Sequence, residues 1–96
     1  MTMRVDDLIR MPDIIEKLAA VHEVTQDEVE EVFRNRPRFR FIESGNIQGE
    51  DVYSAEGRTD VGRYLAVFFI LKLTQQALII SARKMTGRER KRYGRK

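Results

Sequence analysis

The chain has 96 residues, no cysteine and one histidine, and its formal net charge is +3. Without cysteine it has neither a disulfide framework nor a thiolate nucleophile, and a single histidine cannot build a histidine-rich zinc site, so no metal centre is predicted. The length predicts one domain over residues 1–96. The N-terminus lacks a signal peptide's apolar run, and the longest apolar run is too short to cross a membrane. We therefore expect a cytoplasmic protein with no membrane partner.

Two amphipathic helices are predicted in the first third of the chain. Pro12 suits the first turn of a helix, and apolar residues at helical spacing extend that helix to about His22. Thr25 and Glu28 form a capping box, in which each side chain can satisfy the other residue's backbone N–H. This box opens the second helix, which Pro37 ends.

Four strands joined as a meander are predicted next. Apolar and charged residues alternate from Arg38 to Phe41, and a second strand runs from about Asp51 to Glu56. Residues 57–62 have glycine at both ends and form a tight connection, in which the glycines serve the turn. The nearly continuous apolar run from Tyr64 to Leu73 predicts a central strand buried on both faces, and Ala77–Ala82 is the last strand.

A short basic helix is predicted after the last strand. Thr86 and Glu89 form a second capping box, and Tyr93 is the only residue of this helix with an apolar body, so core packing alone does not hold it. Residues 94–96 form a tail, and residues 1–10 are compatible with an edge strand, a helix extension or a flexible segment. The element order predicts an α+β fold, with the helices packed on one face of a four-stranded antiparallel sheet.

Charge is unevenly distributed along the chain. Residues 1–50 carry seven Lys and Arg against eleven Asp and Glu, whereas residues 51–96 carry eleven against four. Between Arg83 and Lys96 eight basic residues accompany a single acid. A basic run that directly follows a core strand is typical of nucleic-acid contact, and a solvated charged surface is the alternative interpretation.

Four cations at predicted strand ends are the candidate phosphate-binding residues. Arg58 and Arg63 flank one turn, and antiparallel pairing of the last two strands would bring Arg83 near residue 63, with Lys84 beside it. The planar guanidinium fork suits phosphate, and such a cluster can stabilise the charge of a phosphoryl transition state.

Each candidate also has a purely structural interpretation. The arginines could form surface salt bridges with Asp60, Glu50 and Asp51. His22 could act as a general acid or base for a 2′-hydroxyl, could contact phosphate, or could simply continue an apolar helix face. Tyr93 could stack on a base or pack against the sheet.

Three segments together resemble the BrnT family of type II toxins, which are RelE-like ribonucleases. The carriers of the resemblance are His22–Phe33, Gly57–Arg63 and Ile80–Tyr93, and the resemblance covers about residues 12–93. The last segment is the most specific, because strand, Ala-Arg, capping box and basic helix occur in the same order. The family usually has a basic residue before its helix-one histidine and glycine after it, and this chain has Val21 and Glu23 there.

The resemblance implies a RelE-like fold and an endoribonuclease that uses neither metal nor cofactor, in which the RNA 2′-hydroxyl attacks the neighbouring phosphate. The residues implied as catalytic are Arg83, Arg58, Arg63 and His22. The candidate RNA-binding residues lie on the last strand and the basic helix, and they are Lys84, Arg88, Arg92 and Tyr93.

The resemblance also implies a protein partner, a cognate antitoxin that neutralises the toxin, binds DNA and is expected to be a ribbon-helix-helix protein. Assembly as a homodimer and assembly as a heterotetramer with the antitoxin both stay open. Two other functions remain as alternatives. The same basic face could serve a non-catalytic nucleic-acid-binding or regulatory module, or the basic helix could grip an acidic protein partner.

Overall fold

The computed structural model describes residues 3–94 and has an α+β architecture. In chain order the elements are β1 (Asp7–Ile9), α1 (Pro12–His22), α2 (Gln26–Arg34), β2 (Arg38–Glu43), β3 (Val52–Arg58), β4 (Tyr64–Leu71), β5 (Gln76–Lys84) and α3 (Gly87–Gly94). The five strands form one mixed sheet in the order β1-β5-β4-β3-β2. None of the helices in this part of the chain combines the length and apolar character needed to cross a lipid bilayer.

The predicted meander is confirmed as β2 to β5, with β4 at the centre, but the four-strand count is wrong. The fifth strand, β1, pairs in parallel with β5, so that residues 7–9 lie beside residues 76–78. A three-residue strand is too short to show the alternation of apolar and polar residues that predicts a strand. For this reason residues 1–10 had three possible interpretations. The edge-strand interpretation is right for residues 7–9, whereas residues 1, 2, 95 and 96 lie outside the described residues.

Helices α1 and α2 cover one face of the sheet. Because successive side chains of a strand point to opposite faces, Leu65, Val67 and Phe69 of β4 all reach this side. There they join a fully enclosed apolar cluster with Val29 and Val32 of α2. Phe69 meets Phe33 edge-on, with ring centroids 5.3 Å apart, so aromatic contacts add to the buried area.

Helix α3 lies on the opposite face, and the expectation that all helices share one face is wrong. Ala66 and Phe68, the alternate residues of β4, pack there with Met85 and Tyr93 in a second, smaller cluster. Tyr93 is buried and its ring meets that of Tyr64 edge-on at 6.0 Å. A single tyrosine therefore supplies most of the apolar anchoring of α3, and the rest of its attachment is polar.

Both predicted capping boxes are confirmed. The Thr25 hydroxyl accepts from the Glu28 backbone N–H at 3.1 Å, and the Glu28 carboxylate accepts from the Thr25 N–H at 3.0 Å. At the start of α3 the Thr86 hydroxyl and the Glu89 carboxylate make the same exchange at 3.2 Å and 2.8 Å. Each box satisfies two backbone donors that a helix start otherwise leaves unpaired.

Gly57 does not serve the turn, as the sequence had suggested, but lies inside β3. A Cβ at this position would lie 3.3 Å from Val32 Cγ1 and 3.3 Å from Pro37 Cβ, so glycine lets α2 approach the sheet closely. Gly62 is the glycine that belongs to the turn, where it adopts a φ of 93°.

Glu23 ends α1 in the left-handed conformation, with φ 54° and ψ 39°. This conformation is strained for residues with a Cβ and favours glycine. The family's usual glycine after the helix-one histidine falls at this position. Because Glu23 stands where the family usually has glycine, α1 ends in a strained helix cap.

We predict that Glu23→Gly raises the free energy of unfolding by about 1 kcal/mol, because glycine relieves the left-handed strain. Urea denaturation measures the change. The matched control is Glu16→Gly, the same side-chain deletion at an exposed position inside α1. There glycine should lower stability by about 1 kcal/mol. Loss of stability in both variants would contradict the assignment of strain to Glu23.

Candidate nucleic-acid interface and active site

The sheet face that α3 partly covers carries a cluster of charged residues, and we call it the arginine face. It comprises Arg38 and Arg40 of β2, Ser54, Glu56 and Arg58 of β3, and Arg83 of β5, together with Arg92 of α3. Strand register places Arg38, Glu56, Ala66 and Arg83 in one row across β2 to β5. Residues that pair across neighbouring strands point to the same face of the sheet, and residues two apart on one strand also share a face. Polar positions that look scattered in the sequence therefore become neighbours.

Glu56 is the centre of this row and is fully buried. Its Oε2 accepts from Arg92 Nη2 at 2.6 Å and lies 3.6 Å from Arg40 Nη1. Arg38 Nη1 donates to the Arg92 backbone oxygen at 3.1 Å, which ties β2 to α3 as well. A buried carboxylate of this kind is stable only while cations compensate it, so Glu56 holds the arginines together as much as they hold it.

Arg83 makes a two-pronged pair with Glu89 of α3. Its Nη1 and Nη2 donate to the two carboxylate oxygens at 2.7 Å and 2.9 Å, and its guanidinium lies 5.0 Å from the centre of the Phe68 ring. The Arg83 hydrogen bonds hold the pKa of Glu89 at about 2, well below its usual value, although burial opposes the shift. Hydrogen bonding to Glu89 raises the pKa of Arg83 in turn. The fork is therefore fixed in place and permanently charged.

A second basic group lies on the same side, around the ring of Tyr64. The Arg90 guanidinium lies 4.2 Å from the ring centre and that of Arg58 lies 5.8 Å from it. An open cleft of about 350 Å³ runs beside this ring, lined also by Lys84. Arg58, Lys84 and Arg88 are exposed, and Arg58 makes no salt bridge within residues 3–94. These cations are available to an anionic ligand without breaking an ion pair.

His22 lies elsewhere, in the layer of α1 and α2, whereas Arg63 lines the cleft beside Tyr64 and also bonds to residues of that layer. Arg63 Nη1 donates to the Glu28 carboxylate at 2.7 Å and to the Glu23 backbone oxygen at 2.9 Å. His22 ends α1, which packs on the face opposite Arg83. The register sets Arg83 opposite Ala66, not near residue 63, and brings Lys84 closest to that turn. The structure thus brings Arg58, Arg63 and Lys84 to the Tyr64 ring and its cleft. Arg83 lies in the row with Glu56, and His22 lies apart from both groups.

The two remaining RNA-binding candidates on α3 are partly or wholly covered. Arg92 is held by Glu56, and Tyr93 is 6% exposed and packs against the sheet, as the structural interpretation of that residue expects. The salt bridges foreseen with Asp60 do not form with the candidate arginines, because Asp60 pairs with Arg34 at 2.8 Å.

Sequence reasoning missed Arg38, Arg40 and Glu56 as members of the site. A signal was present: Arg38 and Arg40 alternate with phenylalanine, and Ser54, Glu56 and Arg58 alternate with small residues, so each set marks one strand face. That these two faces adjoin depends on register. That Glu56 is buried depends on α3, which was expected on the other side.

Comparison with known proteins identifies the class. Residues 15–89 match the family model described as "Ribonuclease toxin, BrnT, of type II toxin-antitoxin system". This chain, with its α+β fold and basic face, is therefore a ribonuclease toxin. The chain belongs to the BrnT family, and the resemblance read from the sequence is confirmed. A comparison with curated proteins finds no match.

We predict that the Arg83–Glu89 pair makes stability depend on acid pH. The folded pKa of Glu89 is about 2, against an ordinary value of 4.5. The pair therefore stabilises the folded state fully above pH 4.5, and this stabilisation is lost as the pH falls toward 2. Glu89→Gln should therefore unfold at lower urea concentration than the wild type at pH 6. The difference between the two midpoint urea concentrations should narrow steadily toward pH 3.

The control is Glu50→Gln, which removes the more exposed pair with Lys72 at 2.7 Å. Its effect at pH 6 should be smaller than that of Glu89→Gln, because exposed ion pairs contribute little. A gap between wild type and Glu89→Gln that stays constant down to pH 3 would contradict the role assigned to the pair.

Proposed function

We propose that this chain is a metal-independent endoribonuclease that binds RNA across the arginine face. The observation that carries the proposal is the row Arg38–Glu56–Ala66–Arg83, which sets guanidinium groups on structured backbone on both sides of one carboxylate. Rigidly held arginines suit phosphate recognition because their donors are already oriented when the phosphate arrives.

In the proposed reaction the 2′-hydroxyl of a ribose attacks the adjacent phosphorus and the 5′-oxygen leaves, which gives a 2′,3′-cyclic phosphate and a new 5′-hydroxyl. The arginines supply the electrostatic part, since extra negative charge develops on the phosphoryl oxygens in the transition state. Arg83 is the central group, because Phe68 and Glu89 fix its guanidinium. Arg58, Lys84 and Arg88 are exposed, which supports a role in holding the flanking phosphates.

His22 and Arg63 have weaker support in this proposal. Arg63 joins the turn before β4 to α2 through Glu28. Burial opposes ionisation of Glu28, but the backbone hydrogen bond from Thr25 and then the hydrogen bonds from Arg63 lower its pKa. That arrangement is sufficient to explain the residue structurally. His22 is the alternative proton-transfer group, and its removal is included in the experiments below.

The toxin's partner is proposed to be a DNA-binding antitoxin of the ribbon-helix-helix class that meets it in the cytoplasm. The arginine face offers charge complementarity to an acidic segment, and covering Arg83 would block RNA. Both a toxin homodimer and a heterotetramer with the antitoxin remain compatible with this arrangement.

We predict that Arg83→Ala lowers RNA cleavage by about 10²- to 10³-fold, the range typical for loss of one transition-state donor. Labelled RNA is incubated in excess EDTA, and product ends are tested for cyclic phosphate. Arg83→Ala also leaves Glu89 without its cation, so the double variant Arg83→Ala/Glu89→Gln separates loss of the donor from loss of the pair. Arg34→Ala removes an arginine from the helix layer and should cleave at the wild-type rate.

Full activity in Arg83→Ala would remove Arg83 from the site. Intact RNA with the wild type would instead favour the non-catalytic binding module on the same face. In that case the logarithm of the affinity should fall steeply and linearly with the logarithm of the salt concentration, because each phosphate contact releases counterions. Arg88→Ala should then reduce that slope, whereas Arg34→Ala should leave it unchanged.

A further inference from the structure

The arginine face contains a set of buried polar atoms that the fold leaves unsatisfied. Within residues 3–94, Glu56 Oε1, Arg92 Nε and Ser54 Oγ are buried and have no hydrogen-bond partner. Two of these atoms belong to one ion pair, and the third lies two residues away on the same face of β3. Buried polar groups are almost always paired, so a cluster of exceptions at a charged site needs a reason beyond stability.

The chemistry of the three atoms is complementary to a hydroxyl group. Glu56 Oε1 can only accept a hydrogen bond while ionised, Arg92 Nε can only donate one, and the Ser54 hydroxyl can do both. A hydroxyl that donates to Glu56 and accepts from Arg92 would satisfy the ion pair's two open atoms. In RNA the group with this capacity beside a phosphate is the ribose 2′-hydroxyl.

We infer that Glu56 is the general base that takes the proton of the attacking 2′-hydroxyl. Glu56 Oε1 accepts the proton, the 2′-oxygen bonds to phosphorus, and the bond from phosphorus to the 5′-oxygen breaks. The leaving 5′-oxygen takes a proton from solvent, and Glu56 returns its proton to solvent. The inference rests on the proposed ribonuclease function. It assigns a role to a residue that was not among the candidates predicted from the sequence.

Access to Glu56 follows from how it is covered. Arg92 Nη2 lies 2.6 Å from Oε2, and α3, which carries Arg92, is anchored by little apolar surface apart from Tyr93. An RNA phosphate competes with the Glu56 carboxylate for the same guanidinium, as it does with Glu89 for Arg83. When Arg92 turns to the phosphate, the carboxylate beneath it is uncovered next to the bound nucleotide.

Glu56 is surrounded by charged side chains. The charged groups that face it come from every element around it: Arg38 and Arg40 of β2, Arg83 of β5, and Arg92 and Glu89 of α3. Four cations and one further acid therefore face this carboxylate.

The test uses a DNA oligonucleotide with one internal ribonucleotide and a fluorescent end label, cleaved under single-turnover conditions in EDTA from pH 3 to pH 8. Glu56→Gln keeps the shape of the side chain and removes its basicity. We expect it to cleave at least about 100-fold more slowly than the wild type, the usual contribution of general-base catalysis. The wild-type rate should fall on acidification, and this fall should be absent in Glu56→Gln.

Binding separates a base from a positioning group. An all-deoxy oligonucleotide of the same sequence, followed by fluorescence anisotropy, should bind Glu56→Gln within about threefold of the wild type. Glu89→Gln is the matched control, because it alters the other arginine-paired carboxylate of this face, and it should keep the fall in rate on acidification. A loss of binding in Glu56→Gln as large as its loss of rate would overturn the assignment of a base.

Further outcomes decide the inference. Wild-type cleavage rates in Glu56→Gln, or loss of the acid dependence in His22→Ala instead, would overturn it while the ribonuclease function stands. If Glu56→Gln shows no cooperative melting, Glu56→Asp decides: it should cleave at least about 10-fold more slowly and keep the acid dependence, and a wild-type rate would contradict the inference. An uncleaved ribonucleotide with the wild-type chain would defeat the proposed function and this inference together.

Discussion

Strand β4 is buried on both faces, and the whole molecule is organised by that constraint. Its alternate side chains serve two different interiors, an apolar one under α1 and α2 and a mixed one under α3. Because the second interior has few apolar residues, the attachment of α3 to the sheet depends on the ion pairs Arg83–Glu89 and Arg92–Glu56. The groups that hold α3 in place are therefore the same groups that give the site its charge, and the cost of burying Glu56 is offset only while its arginines stay near.

This coupling explains why the site is both rigid and open to exchange. An arginine held by a carboxylate is oriented before a ligand arrives, and a phosphate then replaces one anion by another without changing the charge balance of the guanidinium. The helix layer shows the contrasting arrangement. Arg63 Nη1 donates to Glu28 and to a backbone oxygen, so these donors join the turn before β4 to the helix layer.

Much of the fold could be predicted because local signals were strong. The two capping boxes, the alternation in β2 and the apolar run of β4 each fix an element from neighbouring residues alone. What failed depends on distant residues. The face that α3 covers, the burial of Glu56 and the pairing of β1 are set by tertiary contacts that no short window records. Arg83 could be proposed from the sequence because it ends the last predicted strand, whereas Glu56 could not, because its surroundings depend on Arg40 and Arg92.

The short strand β1 has a consequence for how the chain folds. Its pairing with β5 joins residue 7 to residue 76, so it closes a loop that contains α1, α2, β2, β3 and β4. Closing so long a loop is entropically costly and contributes little until the meander exists, which makes β1 a late event in folding and an early one in local opening. When β1 opens, the free edge of β5 becomes a template for a strand from another chain.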